Sequence, residues 1–149
     1  MKKIAVVLLA IMLLLLSGSS YKEVTRYNYL YKGESDLWTA EYTVTGTATW
    51  TEENNRLNYG NDIKDALTVT YKNDVSELSG ANNLKIEYDV GAGGGSLNEY
   101  YDSNNHLTKR TFKMQGGGKN ISVPLKDSIV HVKVTLDNNA QSLELTNAN

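Results

Sequence analysis

The sequence has no cysteine, one proline and one phenylalanine among its 149 residues, and only two histidines. Without cysteine it has no disulfide, no thiolate metal site and no thiol nucleophile, so its stability must come from packing and backbone hydrogen bonds alone. The single Pro124, in ISVPLKD, is expected on a sheet edge or at a strand start because it cannot donate to a ladder. His106 lies in the turn-like DSNNHL and His131 in the strand-like IVHVKV, without the Glu-x-x-His or His-x-His spacing of a zinc site. A Gly-x-Ser-x-Gly nucleophile elbow is also missing.

What is present begins with Met1, Lys2 and Lys3, an unbroken apolar run from Ile4 to Leu16, and the small polar stretch Ser17 to Ser20. This is the order of a secretory signal peptide. Crossing a membrane takes roughly 20 apolar residues, and this run is shorter, which favours cleavage over an uncleaved, tilted anchor. Leu16-Ser17-Gly18-Ser19 has the shape of a bacterial lipobox, with Ser19 where the acylated cysteine would stand. A serine oxygen lacks the thiol that forms the thioether, so the lipid cannot be attached there. The reading divides the chain into a signal peptide, residues 1–20, and one domain, residues 21–149. Loss of Lys2 and Lys3 takes the formal charge from −2 to −4. Mild acidity without a basic stripe argues against a nucleic-acid partner.

From Tyr21 onward apolar and polar residues alternate, and a helical period does not emerge. In DLWTAEYTVTGTATW, residues Trp38, Ala40, Tyr42, Val44, Ala48 and Trp50 share one face, and the threonines opposite are expected to look toward water. Gly46 interrupts the row, where a bend or bulge would let one ribbon serve two sheets. The same period of two marks RYNYLYK, ALTVTYK, LKIEYDV, TKRTFKM, IVHVKVTL and QSLEL. These segments predict about seven strands forming a single antiparallel, immunoglobulin-like β-sandwich, with a small β-barrel as the alternative. Breakers are expected at Gly80 to Asn83, Ser103 to Asn105 and Gly116 to Asn120, and Asp137 to Asn139 reads as a hairpin turn. Thr146 to Asn149 reads as a frayed end.

Candidate chemistry is sparse. Gly91, Gly93, Gly94 and Gly95, in GAGGGS, and the later Gly116 to Gly118 lack the Gly-Lys-Ser or Gly-Lys-Thr ending of a phosphate loop. Such runs read as loops or bulges, or as backbone kept bare so that a ligand or another chain can approach. The acid and amide clusters Glu52 to Asn55 and Asp102 to Asn105 do not match a calcium loop and read as solvated turns. Ten tyrosines and two tryptophans offer flat apolar bodies suited to half-buried packing, sugar stacking or a protein interface. Tyr100 and Tyr101 point to opposite faces if they lie on a strand, so one of them is expected to be exposed. The candidate contacts are therefore Tyr100, Tyr101, Gly93, Gly94 and Gly95, with no catalytic residue, metal ligand or cofactor assigned.

The stretches YNYLYKGES at Tyr27 to Ser35, LTVTYKNDVSEL at Leu67 to Leu78, and GAGGGS resemble those of small uncharacterised lipoproteins of Gram-positive, Bacillus-type bacteria. The resemblance implies a β-rich domain facing the cell envelope, usually tethered by lipid, and Ser19 departs from the cysteine that carries the tether. Together these readings give an exported, non-enzymatic envelope or extracellular module that binds a protein or glycan. Membrane contact is expected only if the N-terminal segment is retained or lipidated. The alternative is a wall-glycan hydrolase using paired carboxylates. Intact-mass measurement of protein recovered from the culture medium of its host is expected to give a chain starting at Ser20 or Tyr21. A membrane-bound species retaining Met1, or carrying the mass of a lipid, would instead show a tethered protein.

Overall fold

A computed structural model describes residues 21–53, 56–91 and 93–149. The signal-peptide reading of residues 1–20 and the Asn54-Asn55 part of the first acid and amide cluster lie outside the described residues.

The domain is all-β and antiparallel. Its strands are β1 (Tyr21–Glu34), β2 (Trp38–Glu53), β3 (Arg56–Tyr71), β4 (Asn83–Asp89), β5 (Gly94–Tyr100), β6 (Thr111–Lys119), β7 (Val130–Leu136) and β8 (Asn139–Asn147). They form one sheet in the order β5-β4-β7-β8-β1-β2-β3-β6, folded over so that its two halves face each other, nearly closing a barrel. The first half is a meander of three long strands plus β6, and the second contains two hairpins, β4-β5 and β7-β8. The halves meet along a short ladder, Tyr31 opposite Asn147 and Lys32 opposite Thr146.

Alternation sets the packing. Trp38, Ala40, Tyr42, Val44 and Ala48 of β2 are buried on one face, with Leu67 and Val69 of β3 in the same rows. From the opposing half come Leu84, Ile86, Val130, Val132, Val134, Leu143 and Leu145, and the two sets form one core. Thr45 and Thr47 lie on the solvent side as expected. One end of the core is closed by Trp38, Tyr71 and Phe112, ring centroids 5.0 and 6.2 Å from Trp38, and by Leu78 of the 3-10 turn Val75–Leu78. Burying an aromatic side chain of this size contributes about 2 to 3 kcal/mol, so this cluster takes the part a disulfide plays in small cysteine-containing domains.

Several expectations need correction. There are eight strands where the alternation suggested about seven, because β5 offers only Leu97 as a sizeable apolar residue inside the strand. Gly46 makes neither a bend nor a bulge: it pairs in register with Tyr27 and Ile63, and the whole ribbon stays in one half of the sheet. A Cβ at Gly46 would lie 2.2 Å from the Asp62 carbonyl oxygen and 2.9 Å from the Ile63 α-carbon, so the glycine lets the β3 backbone approach. Gly116 to Gly118 belong to β6 rather than to a turn, paired with Asp65, Lys64 and Ile63. Pro124 is buried in the connection between β6 and β7 rather than placed on a strand.

The C-terminal residues are not frayed. Beyond the two ladder rungs, the Ala148 N–H donates to the Leu30 carbonyl at 2.7 Å, and Asn147 Nδ2 donates to the Lys126 carbonyl at 2.9 Å. Asn149 Nδ2 reaches the Asn28 carbonyl at 2.9 Å. The tail therefore fastens one half of the sheet to the other and also pins the β6-β7 connection. Truncation after Leu145 is expected to lower the unfolding free energy by about 2 to 4 kcal/mol, three hydrogen bonds and the two rungs being lost. Chemical denaturation with tryptophan emission as the probe checks this, and a midpoint unchanged from the parent would show that the tail carries none of the closure.

Candidate functional site

The glycine runs are far apart in sequence, yet the folded sheet brings them to one place. At the end of the core opposite Trp38, a cavity of about 200 Å³ opens between the two halves. Gly93 and Gly94 line it from the β4-β5 hairpin, Gly116 and Gly117 from β6, and Ile121, Ser122 and Pro124 from the β6-β7 connection. Its inner wall is Tyr42, Val44, Ile63, Asp65, Tyr88 and Val90, with the rings of Tyr42 and Tyr88 5.6 Å apart.

Asp65 is the charged residue of this cavity. It falls in the core-facing register of β3, two residues from Ile63 and two from Leu67, where an apolar side chain would be expected. Its carboxylate lies against the α-carbon of Gly116: a Cβ there would stand 2.7 Å from Oδ1 and 3.1 Å from Oδ2. Oδ1 is shut off from solvent without a hydrogen-bond partner among the described residues. Burial raises the carboxyl above its ordinary range. Burial, with Asp65 and Tyr88 nearby, also pushes the Tyr42 phenol up, and burial followed by Asp65 does the same to Tyr88. An unpaired buried acceptor costs roughly 1 to 3 kcal/mol, so the carboxylate is kept at the cavity wall at the expense of stability.

Asn61 holds the outer wall in place through Ile121. It is the buried polar residue of the core face, 7 % exposed, and its side chain is fully used. Its Nδ2 donates to the Ile121 carbonyl at 2.7 Å and to the Tyr59 hydroxyl at 2.9 Å, while its Oδ1 accepts from the Ile121 N–H at 3.0 Å. Asn120 returns the contact, its Oδ1 accepting from the Asn61 N–H at 3.2 Å. Tyr31 fixes the far side of the same connection, its hydroxyl donating to the Leu125 carbonyl at 2.8 Å. The connection is thus tied at both ends where it borders the cavity.

The candidate residues read from sequence divide into three groups. Gly93 and Gly94 line the cavity, whereas Gly95 seats the Tyr88 ring, since a Cβ there would stand 2.7 Å from Tyr88 Cε1. Tyr100 and Tyr101 sit at the opposite end of β5, about 20 Å away at strand spacing, so they do not join the glycines in one site. Tyr100 is 71 % exposed, as one of the pair was expected to be, and its hydroxyl accepts from Asn98 Nδ2 at 2.9 Å. Tyr101 packs against the core and donates to Glu99, which also takes an ion pair from Lys109 at 2.8 Å. Burial raises the Glu99 carboxyl, but the hydrogen bonds from Lys109 and Tyr101 outweigh it and hold the group below its usual range.

Asp102 satisfies its own turn, its Oδ1 accepting from the N–H groups of Asn104 and Asn105 at 2.8 and 2.9 Å. His106 is exposed, and His131 Nδ1 stands 3.9 Å from Glu144 Oε1 on the solvent face. Among the described residues there is no group of three or more histidine, aspartate or glutamate side chains placed to hold a metal ion. Asp65 and Asn61 were not singled out by sequence reasoning. The available signal was a polar residue at each of two core-phase positions in NYGNDIKDALTV.

The two carboxylates should respond to pH with opposite sign. A carboxyl raised by folding stabilises the native state only while protonated: the contribution is full below the ordinary value near 3.8 and is lost as pH rises through the folded value. Asp65→Asn is therefore expected to melt above the parent at pH 7, by on the order of a few degrees, with the gap closing on acidification. Glu99, held low, contributes above its ordinary value near 4.5 and loses that contribution as pH falls through the depressed one. Glu99→Gln should melt below the parent at pH 7, and acidification should narrow that difference. Thermal melts of both variants from pH 3 to pH 8 check the signs.

Comparison with protein-family models, curated proteins and solved structures finds no match to the chain.

Proposed function

We propose that the chain is an exported, non-enzymatic module of the cell envelope that binds a hydroxyl-rich ligand, the end of a glycan, in the cavity between its two half-sheets. The observation that carries this reading is the Asp65 carboxylate: a charged group at a core-phase position lines the cavity beside Tyr42 and Tyr88, where glycines from two strands leave the wall bare. A sugar ring presents hydroxyl donors on its rim and C–H groups on its faces, which suit a carboxylate acceptor and aromatic rings respectively. The export half of the reading comes from Met1 to Ser20, and the envelope setting from the resemblance carried by YNYLYKGES and GAGGGS.

The hydrolase alternative needs two carboxyl groups flanking the scissile bond, roughly 5 to 9.5 Å apart. The cavity lining includes one. That asymmetry favours binding over bond cleavage. A glycan ligand is also favoured over a protein one, because the cavity holds only about 200 Å³ and glycines and Ser122 make up part of its lining.

Titration of the full chain with N-acetylglucosamine oligosaccharides, followed by amide chemical shifts, tests the proposal. Shifts should concentrate at Gly93, Gly94, Gly116 and Gly117, and Asp65→Ala should weaken binding about tenfold, the loss of one charge-assisted hydrogen bond. Saturable release of reducing ends would instead support the hydrolase. No perturbation by these sugars or by a digest of whole cell wall would reject the glycan reading.

A further inference from the structure

The core face does not stop at the cavity. β1, β2 and β3 run on past the sandwich as a three-stranded lip, paired in register out to Tyr21 opposite Glu52 and Glu52 opposite Leu57. Because register and pleat are unbroken, the face that buries Tyr42 and Ile63 continues outward in rows two residues apart. Beyond Ile63 come Asn61 with Ala48, then Tyr59 with Trp50 and Glu23, then Leu57 with Glu52 and Tyr21. Among the described residues these outer rows pair only within β1, β2 and β3: β6 follows β3 only as far as Asp62, and β8 meets β1 only at Tyr31 and Lys32. Their apolar members stand in the open: Trp50 is 37 % exposed, Tyr59 44 % and Leu57 64 %.

Three features describe what fits there. The Trp50 and Tyr59 rings lie 4.5 Å apart, and Tyr59 is held by the bond from Asn61, so the platform is positioned before any partner arrives. The charged residues on this face of the lip are Glu23 and Glu52, while Lys22, Arg26 and Arg56 alternate onto the other face. A carboxylate-bearing face repels an anionic polymer or an anionic bilayer and accepts from hydroxyl donors. Finally, the lip is continuous with the cavity, since Asn61 bonds Ile121 of the cavity lining and Tyr59 of the platform alike.

We propose that the lip is an extended glycan-binding face: a chain of several sugar rings, seated at its end in the cavity, runs outward over the Trp50-Tyr59 platform toward Leu57. The outer rows span about 20 Å from Ile63, which a monosaccharide cannot cover. This inference rests on the glycan reading of the cavity and adds the chain length and direction of the ligand.

The experiment separates the two. Affinity is measured for N-acetylglucosamine oligomers of increasing length with the full chain and with Trp50→Ala, Tyr59→Ala and Asp65→Ala. In the parent, affinity should rise about tenfold from the shortest oligomer that binds to the longest, because the additional rings reach the platform. Trp50→Ala should abolish that gain and leave the shortest oligomer unaffected, Tyr59→Ala should abolish it while also removing a partner of Asn61 at the cavity wall, and Asp65→Ala should weaken every length. Affinity independent of length, with Trp50→Ala silent, would overturn the lip while leaving the cavity standing. A length gain sensitive to Trp50→Ala but not to Asp65→Ala would keep the lip and reject the cavity as the end site. Trp50→Phe serves as a fluorescence control, since the remaining Trp38 is buried. Trp50 emission quenched by brominated phosphatidylcholine vesicles, with no response to oligosaccharide, would make the lip a lipid-facing surface and overturn the proposal.

Discussion

Everything in this domain depends on the sheet being fastened to itself. A strand with one apolar face must find a second such face, and with no cysteine there is no covalent link to hold two separate sheets together. The solution is a short ladder between β1 and β8, extended by Ala148 and Asn149 beyond the last strand. It converts two half-apolar layers into one enclosed core, and it sets the distance between the β4-β5 hairpin and β6. The cavity at the open end follows from that spacing, because its walls come from both halves.

The cavity and the aromatic cluster around Trp38 are opposite answers to one problem at the two ends of the same core. At the Trp38 end, large rings and Leu78 fill the space between the halves. At the other end the chain places glycine where bulk would be expected, and a carboxylate at a core-phase position. Filling that end with valine or leucine would be the stabilising choice. The chain instead retains an unpartnered Asp65 oxygen there, at a cost to stability.

Period-two alternation made the all-β class and the buried rows of β2, β4, β7 and β8 legible in the sequence, since their apolar residues all face one core. It read only part of the outer ends of β1 and β3, because Tyr21 to Arg26 and Arg56 to Asp62 run mostly beyond the sandwich, where both faces meet water and carry polar residues. It also missed β5, an edge strand short of apolar residues, and took Gly116 to Gly118 for a turn. The site itself was half legible. The glycine runs stood out, but their convergence depends on a strand order that local pattern does not encode. Tyr100 lies at the end of β5 away from the glycine-lined cavity, while Asp65 stands in a polar stretch like any other acid.

The ladder that closes the sheet also sets the tempo of folding. Asn149 and Asn28 are 121 positions apart in the chain, and the pairing of β1 with β8 spans a similar separation. Contacts that distant carry a large loop-closure entropy before they return any energy, so they form late, and domains dominated by them fold in milliseconds to seconds. Until then the three-stranded meander exists with its apolar face uncovered, exposed to other chains. In a chain synthesised from its N-terminus, that face emerges well before the residues that will cover it, and the interval is one in which a chaperone would find its substrate.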